Sequence, residues 1–165
     1  MFENRKYSVL VVSSSEKMNE AFKNILPLTK YRSVTFAGSI SAAKRNMLDS
    51  FYDFVIINTP LSDDFGTDFA VELCRKKSCV CMLIVKSELY EKISHRVIPY
   101  GVFTLPKPTS TANMEVALSW LASANPPCKI NDIRVFMFFT GSVSKNSNSN
   151  PGMLSTYNGS AIIIS

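Results

Sequence analysis

The first 125 residues alternate regularly between two hydrophobic patterns, and this alternation restricts the chain to one class of fold. Short apolar runs rich in β-forming residues are each followed by a stretch in which apolar residues recur at helical spacing. The predicted strands are YSVLVV, YRSVTFA, DFVIIN, CVCMLIV and GVFTL. Five successive β-α units predict an α/β domain whose parallel sheet is covered by helices on both faces.

A helix is predicted after each of these strands. In the first helix Met18, Phe22 and Leu26 repeat at helical spacing, and in the second, SISAAKRNMLDSF, Ile40 and Phe51 fall near one face. The other three helices are predicted in FGTDFAVELCRKK, SELYEKISHRVIPY and STANMEVALSWLAS. Because crossover connections are right-handed, five units of this size favour the flavodoxin-like, doubly wound strand order 2-1-3-4-5.

Ligands bind at the carboxyl ends of the strands in a sheet of this kind. The residues expected there are Ser13 to Ser15, Asn58 to Asp64, Val85 to Ser87, and Pro106 to Pro108. Asn58 ends the third predicted strand, where a reactive side chain is usual, yet an amide is neither a nucleophile nor a base. No catalytic residue is assigned from the sequence, and no enzymatic activity is expected.

Composition and charge exclude several classes of function. A content of 46% hydrophobic and 19% charged residues is ordinary for a soluble globular domain. No apolar window approaches the ~20 residues of a membrane span, and the N-terminus lacks signal-peptide architecture, so a cytoplasmic protein without a membrane partner is expected. The net charge of +5 is spread over several segments, which favours a solvated surface over a nucleic-acid patch.

Thiols and other potential metal ligands are few. The four cysteines, Cys74, Cys79, Cys81 and Cys128, form no C-x-x-C pair, and His95 is the single histidine. Without companions at ligand spacing, these residues predict neither a metal site nor a cofactor. The cysteines are expected to be reduced and structural.

Three motifs give the chain a family resemblance over residues 7–122. VLVVSSSE, DFVIINTPLSDDFG and GVFTLPKPTS occur in the order and approximate spacing found in the receiver domains of bacterial response regulators, which the chain resembles. The resemblance implies that Asn58 stands at the position of the phosphoacceptor aspartate. It likewise implies that Ser13 and Ser14 replace the acidic pair that holds Mg²⁺, and that Lys107 and Pro108 are the retained lysine and its proline.

The resemblance also locates the positions through which receivers switch conformation. The Ser or Thr that ends the fourth strand of receivers corresponds to Val85 or Lys86, and the aromatic switch residue corresponds to Thr104. Neither position carries the family's residue type. The familiar route by which a phosphoryl group changes the conformation of a receiver is therefore not expected in this chain.

The chemistry of the side chains leads to the same expectation without the family. Mg²⁺ prefers carboxylate and phosphate oxygens, whereas this crevice offers hydroxyls and an amide. Formation of an aspartyl phosphate needs a carboxylate nucleophile, which Asn58 cannot supply. Of the nearby acids, Asp64 is expected to support a helix that begins near Phe65, rather than to act as a relocated acceptor, and Ser13 is expected to begin a capping box with Glu16.

The receivers of antitermination response regulators, which carry an RNA-binding ANTAR module, provide the more specific resemblance. It is carried by VIINTPLSDDFG and LIVKSELYEKISHRVIPYGVFTLPKP. The chain is accordingly divided into a receiver-like domain, residues 1–125, and a linker remnant with a low-complexity tail, residues 126–165, in which no output domain is recognised. RNA binding is expected of full-length relatives and is doubtful for this chain. The β-prone segments VFMFF and AIIIS of the tail are expected to pair with each other, to dock on the domain or to aggregate.

A signalling module that acts through protein-protein interaction is the function that these observations favour. The resemblance implies a protein partner or a homodimer on the face formed by the fourth helix, fifth strand and fifth helix. Tyr90, Ile93, Val97 and Met114 are candidates for that face, although their helical spacing fits burial equally well. Two alternatives are a flavodoxin-like binder of a small molecule or phosphate, whose site would be the SSSEKM turn, and an RNA-binding regulator.

Overall fold

Five parallel strands form the central sheet of the structure, a computed structural model that describes residues 6–124 and the backbone of residues 134–138 and 160–164. The strands are β1 (Tyr7–Val12), β2 (Tyr31–Ala37), β3 (Phe54–Asn58), β4 (Val80–Lys86) and β5 (Phe103–Lys107). Their order across the sheet is β2-β1-β3-β4-β5, and all four pairings are parallel. The flavodoxin-like order predicted from the sequence is confirmed.

Each strand is followed by a helix. The helices are α1 (Glu16–Ile25), α2 (Ile40–Asp49), α3 (Thr67–Arg75), α4 (Ser87–Val97) and α5 (Thr111–Ala124). The fourth helix was predicted to continue to Tyr100, but a 3₁₀ turn over Ile98–Tyr100 replaces its last turn. Pro99 accounts for this difference, because it lacks the N–H that would continue the α-helical hydrogen bonding.

The sheet separates two apolar cores. Alternate residues of each strand point to opposite faces. On one face Leu10 and Val12 of β1 pack with buried residues of α2, α3 and α4. On the other face Val9 and Val11 pack with buried residues of α1 and α5. A sheet buried on both faces explains why β3 and β4 read as almost continuous apolar runs.

Two local expectations are wrong. Phe51 was predicted to lie on the buried face of α2, but this helix ends at Asp49 and the Phe51 side chain is 99% exposed. Ser13 was predicted to cap α1, but Ser15 is the N-cap, and its hydroxyl accepts a hydrogen bond from the backbone N–H of Met18 at 3.3 Å. The true cap lies two residues further on because Ser13 is buried at the end of β1.

The fifth strand was predicted two residues too early. It was expected in GVFTL, but it runs from Phe103 to Lys107, so that Lys107 belongs to the strand and lies opposite Lys86 in the parallel register of β4 and β5. This shift brings the two lysines to the same edge of the sheet. It therefore contributes directly to the site described below.

Part of the tail is described by its backbone alone. Two short strands, β6 (Arg134–Phe138) and β7 (Ser160–Ile164), form an antiparallel pair. The β-prone segments, which were expected to pair with each other, to dock on the domain or to aggregate, are paired with each other over these backbone residues. The other predictions for residues 126–165, a linker remnant and a low-complexity tail, lie mostly outside the described residues. In the described part of the chain, no helix has the length and apolar character needed to cross a bilayer.

Candidate functional site

A buried hydrogen bond joins the ends of β1 and β3. Asn58 is the last residue of β3, and Ser13 directly follows β1, its neighbour in the sheet. The Asn58 Nδ2 donates to the Ser13 Oγ at 3.0 Å, and both residues are buried. The Ser13 Oγ also accepts from the backbone N–H of Ser15 at 3.2 Å. Two positions that the resemblance assigns to carboxylates are thus occupied by neutral groups bonded to each other.

Ser13, Ser14 and Asn58 offer few oxygen atoms that suit a metal ion. Asn58 Oδ1 is buried and has no hydrogen-bond partner among the described residues. Ser14, the other position of the acidic pair, is exposed at the surface. A hydroxyl, an exposed hydroxyl and an amide make a poor donor set for Mg²⁺, which keeps its waters unless carboxylate or phosphate oxygens bind it. The residues present do not fit the magnesium site that the receiver resemblance implies.

Among the described residues, no group of three or more His, Cys, Asp or Glu side chains is arranged to hold a metal ion.

Lys107 reaches into the crevice from β5. Its Nζ donates a hydrogen bond to the backbone carbonyl of Thr59, the residue after Asn58. Thr59 is itself held in place, because its N–H and its Oγ1 both donate to the Ile84 carbonyl at 3.0 Å. The pKa of Lys107 is lowered, first by burial and then by the positive charge of Lys86. The retained lysine is therefore anchored to main chain beside Asn58.

A shallow cavity opens next to Lys107. Its volume is about 480 Å³, and its lining consists of Met18, Lys86, Ser87, Glu88, Lys107, Pro108 and Thr109. Two ammonium groups and one carboxylate leave the lining with a net positive charge. The Thr109 Oγ1 is buried without a hydrogen-bond partner among the described residues, and α4 begins at Ser87 without a side-chain cap. These features suit a small anion better than a cation.

The structure distinguishes between the two residues predicted for the end of the fourth strand. Val85 is fully buried in the core between the sheet and α4, whereas Lys86 is exposed and lines the cavity. Lys86 is thus the residue at the crevice, with Lys107 directly opposite in register. A long cationic side chain stands where receivers carry a small hydroxyl.

The predicted switch position is fixed to a neighbouring helix. Thr104 is buried on β5, and its Oγ1 lies 3.0 Å from the Ser94 Oγ on α4. Ser94 also donates to the Tyr90 carbonyl at 2.6 Å, so the hydroxyl pair is saturated within the core. Ser94 was not identified from the sequence. Its position between Tyr90 and Val97 on one helical face was the available signal, because a serine on an apolar face needs a buried partner.

The two acids of the loop after Asn58 have structural roles. Asp63 accepts hydrogen bonds from the backbone N–H groups of Ile40 and Ser41 at 3.0 and 2.9 Å, and from the Ser41 Oγ at 2.9 Å. Asp64 accepts from the Gly66 N–H at 2.6 Å. The helix that Asp64 was expected to support begins at Thr67 rather than near Phe65, and its N-cap is Gly66. Asp63 instead ties the loop to the N-terminus of α2, a long-range contact without a sequence signal.

We expect the contacts of Asp63 to be visible in the acid unfolding of the protein. Its pKa is lowered by the backbone N–H of Ser41 first and by that of Ile40 second. A carboxyl with a lower pKa in the folded state contributes stability above its unfolded pKa of about 3.9, and this contribution is lost as pH falls through the folded value. The Asp63→Asn variant should therefore be less stable at neutral pH and lose less stability on acidification.

Urea unfolding of the native chain and the variant between about pH 7 and pH 2.5 tests this expectation. Asp49→Asn, which removes an exposed carboxylate from the other end of α2, is the matched control and should retain the acid-dependent decline. Parallel stability curves for the native chain and Asp63→Asn would contradict the assigned role.

Solved structures of response-regulator receiver domains share this architecture. The receiver domain of an HD domain-containing protein from Pseudomonas fluorescens Pf-5 has a TM-score of 0.64 and 20% identity, covering 74% of this chain and 91% of its own. The HemR receiver domain from Leptospira biflexa has a TM-score of 0.62 and 24% identity, with coverages of 72% and 95%. The fold is the receiver fold. A dimer of the beryllofluoride-activated NtrC4 receiver domain is also similar, with a TM-score of 0.60, 20% identity and coverages of 68% and 93%.

At these identities the likeness concerns the receiver fold and does not extend to activity. No protein-family model matches the sequence, and no curated protein is significantly similar to it. Function therefore has to be argued from the residues of the crevice and of the helical faces.

The candidate residues for a partner face are mostly interior in this receiver fold. Tyr90, Ile93, Val97 and Met114 are all buried, so burial is the alternative that the structure supports. His95 is exposed on α4. A partner on this side of the molecule would meet the exposed polar residues of α4 and α5, together with Val116, which is 45% exposed.

Proposed function

We propose that this chain is a signalling module with a receiver fold that acts through protein-protein interaction and does not accept a phosphoryl group at Asn58. The observation that carries the proposal is the hydrogen bond from Asn58 to Ser13 at 3.0 Å. In this proposal the amide and the hydroxyl occupy two positions to which the receiver resemblance assigns carboxylates. Without a nucleophile and without a magnesium site, neither step of acyl-phosphate chemistry has the groups that it needs.

The contacts around the crevice support a single conformational state. Lys107 is bonded to the main chain of Thr59, and Thr104 is bonded to Ser94 across β5 and α4. In a two-state switch, a ligand must interact differently with the two conformations. Here Thr104 and Lys107 are already bonded within the protein, so we infer a preformed surface rather than one that phosphorylation exposes.

The partner surface in this proposal is the face of α4, β5 and α5. The similar NtrC4 structure is a dimer of receiver domains, which makes a second copy of this chain one candidate partner. Among the exposed residues of these two helices are His95 of α4 and Val116 of α5. In a twofold dimer the same exposed residues of both copies would meet.

We further propose that the regulated process is transcription antitermination. The support is the resemblance of residues 55–66 and 83–108 to the receivers of antitermination regulators. In this proposal the chain has no enzymatic activity of its own and regulates the process by binding a partner protein.

A second candidate function, non-covalent binding of a small phosphorylated molecule, is favoured by one specific observation. The cavity beside Lys107 is lined by Lys86, which lies in register with Lys107, and by Thr109, whose Oγ1 has no hydrogen-bond partner among the described residues. Lysine ammonium groups bind phosphate as point charges. This candidate requires no phosphoryl transfer, so it is separable from the first by experiment.

The test of the main proposal is a two-dimensional NMR titration of the full chain with Mg²⁺ and beryllium fluoride, a mimic of an acyl phosphate. We expect no saturable shifts at Ser13, Asn58 or Lys107, and no covalent adduct by intact-mass spectrometry after incubation with acetyl phosphate. The Asn58→Asp variant is the matched comparison, because it restores one carboxylate at nearly constant volume. A stoichiometric phosphoryl adduct on the native chain would contradict the proposal.

The same titration with inorganic phosphate tests the second candidate. Shifts confined to Lys86, Lys107 and Thr109, without a covalent adduct, would favour phosphate binding in the cavity. A Lys86→Gln variant should then weaken these shifts, whereas Lys92→Gln, which changes an exposed lysine on the same helix, should not.

A further inference from the structure

The two edges of the central sheet are covered to different extents. β2 and β5 each pair with one strand of the five-stranded sheet. Most residues of β2 are half-buried or exposed, whereas Thr104, Leu105 and Pro106 in the middle of β5 are all buried. An edge strand leaves one side of its backbone open unless another segment covers it. The burial of β5 therefore indicates a cover on its outer side as well as on its two faces.

A segment of the C-terminal tail lies beside this edge. Cα atoms of β6 approach those of β5 to within 8 Å, although the two strands belong to separate sheets and share no ladder. Pro106 fits this arrangement, because a proline in an edge strand is tolerated where its missing N–H would face away from the ladder. β6 is thus a neighbour of β5 without being a sixth strand of the sheet.

The chain between α5 and β6 is long enough for this return to β5. The Tyr7 hydroxyl, at the start of β1, donates to the Ala122 carbonyl at 3.4 Å, so α5 ends near the amino end of the sheet. β5 begins at the same end, since the strands are parallel. Residues 125–133 connect α5 to β6, and a segment of this length spans up to about 30 Å when extended. β6 can therefore reach the β5 of its own chain.

The pair formed by β6 and β7 needs an apolar surface in order to be stable. Its strands read RVFMF and SAIII, in which apolar residues follow one another without polar alternation. An isolated two-stranded hairpin is at best marginally stable in water, and packing against another element stabilises it. β5 is the strand beside the pair, and its Phe103 is only half-buried.

We propose that the β6–β7 pair is an intramolecular cover of the β5 edge and excludes a second copy of the chain from the partner face. That face is formed by α4, β5 and α5, and β5 lies at its centre, since α4 packs on one side of the sheet and α5 on the other. A strand beside β5 stands where a partner has to make contact. The inference rests on the function proposed above, because it specifies how access to the same face is regulated.

Covering of β5 by the tail and binding of a second copy are mutually exclusive in this arrangement. The apparent affinity for a second copy is therefore reduced by the fraction of chains whose β5 edge is open. A change that detaches the β6–β7 pair should strengthen self-association even though the central sheet and its helices stay the same.

The first measurement uses the full native chain in solution. NMR should show interstrand NOEs between β5 and β6 in addition to those between β6 and β7. Hydrogen exchange at Thr104 is a second readout. Successive N–H groups of a strand point to opposite sides, and Pro106 marks the outer side of β5, so the Thr104 N–H points outward too. Its exchange should be slow while the pair covers it.

A double variant of the full chain opens the edge. Phe136→Pro with Met137→Pro removes the N–H groups of two consecutive β6 residues, one of which bonds to β7 in the antiparallel ladder. We expect exchange at Thr104 to become at least about tenfold faster. Self-association, measured by sedimentation equilibrium, should strengthen by at least about tenfold, with amide shifts of the associated form on β5.

Phe136→Ile with Met137→Ile is the matched control, because it keeps apolar β-forming residues at both positions. It should change neither Thr104 exchange nor self-association. The amides of β2, at the opposite edge of the sheet, should not respond in either variant, which also shows that the domain remains folded.

Three results would overturn the inference. The first is the absence of NOEs between β5 and β6 in the native chain, a measurement that stands even if the proline variant fails to fold. The second is unchanged Thr104 exchange in that variant, and the third is self-association that does not strengthen or that maps away from β5. The function proposed above fails separately, through a phosphoryl adduct on native Asn58, which leaves the readouts at β5 as they are.

Discussion

Replacement of Gly66 by alanine is expected to lower the free energy of unfolding by about 3 kcal/mol. Gly66 has a φ of +87°, a conformation that L-residues with a side chain rarely adopt. A Cβ built at this position would lie 2.7 Å from the Ile57 Cγ2, well inside van der Waals contact. The substitution therefore combines backbone strain with a clash in the core beneath the loop that follows Asn58.

Variants at two other glycines distinguish the cost of backbone strain from the cost of the clash. Gly101 has a φ of +83°, but nothing lies within 4 Å of a Cβ added there, so Gly101→Ala should show the backbone cost of about 1 kcal/mol alone. Gly38→Ala adds a Cβ into open space without a positive φ and should change stability least. Urea unfolding of the three variants measures the differences. Equal losses at Gly66 and Gly101 would mean that Ile57 moves aside at no cost.

Phe54→Ala should have an effect at least as large, with a loss of about 4 kcal/mol. The Phe54 side chain is fully buried in the core between the sheet, α1 and α5, and its ring centre lies 4.7 Å from that of Tyr7. Removal of the ring leaves a cavity at the start of β3, on the face of the sheet that α1 and α5 cover.

Phe51 provides the matched control for this substitution. It lies three residues earlier and is 99% exposed, so Phe51→Ala removes the same ring without opening a cavity. We expect a change of less than about 0.5 kcal/mol. Thermal and urea unfolding of both variants measure the two expected losses of stability. A loss for Phe51→Ala comparable to that for Phe54→Ala would mean that this aromatic side chain is covered in solution, for example by a second molecule.

The parts of the fold that were predictable from the sequence are those encoded by short-range periodicity. The bounds of β1 and β2 match the predicted runs, because both segments are rich in β-forming residues. The end of β3 at Asn58 was equally clear. Helix ends were harder to predict. Three serines that could each act as an N-cap stand in a row at Ser13 to Ser15, and the local pattern does not decide among them.

Contacts between distant segments could not be predicted in this way. Asp63 caps α2 from 22 to 23 residues away, and Ser94 meets Thr104 across two elements. Each of these contacts depends on how the helices pack on the sheet, and no spacing along the chain predicts which residues will be partners.

The hydrogen bond between Asn58 and Ser13 joins two side chains that remain neutral throughout the physiological pH range. Its strength is therefore insensitive to cellular pH and to free magnesium. In the function proposed here, a module built around this bond is not switched by a phosphoryl group at Asn58. Its effect on a partner would then follow mass action and rise and fall with the abundance of the two proteins.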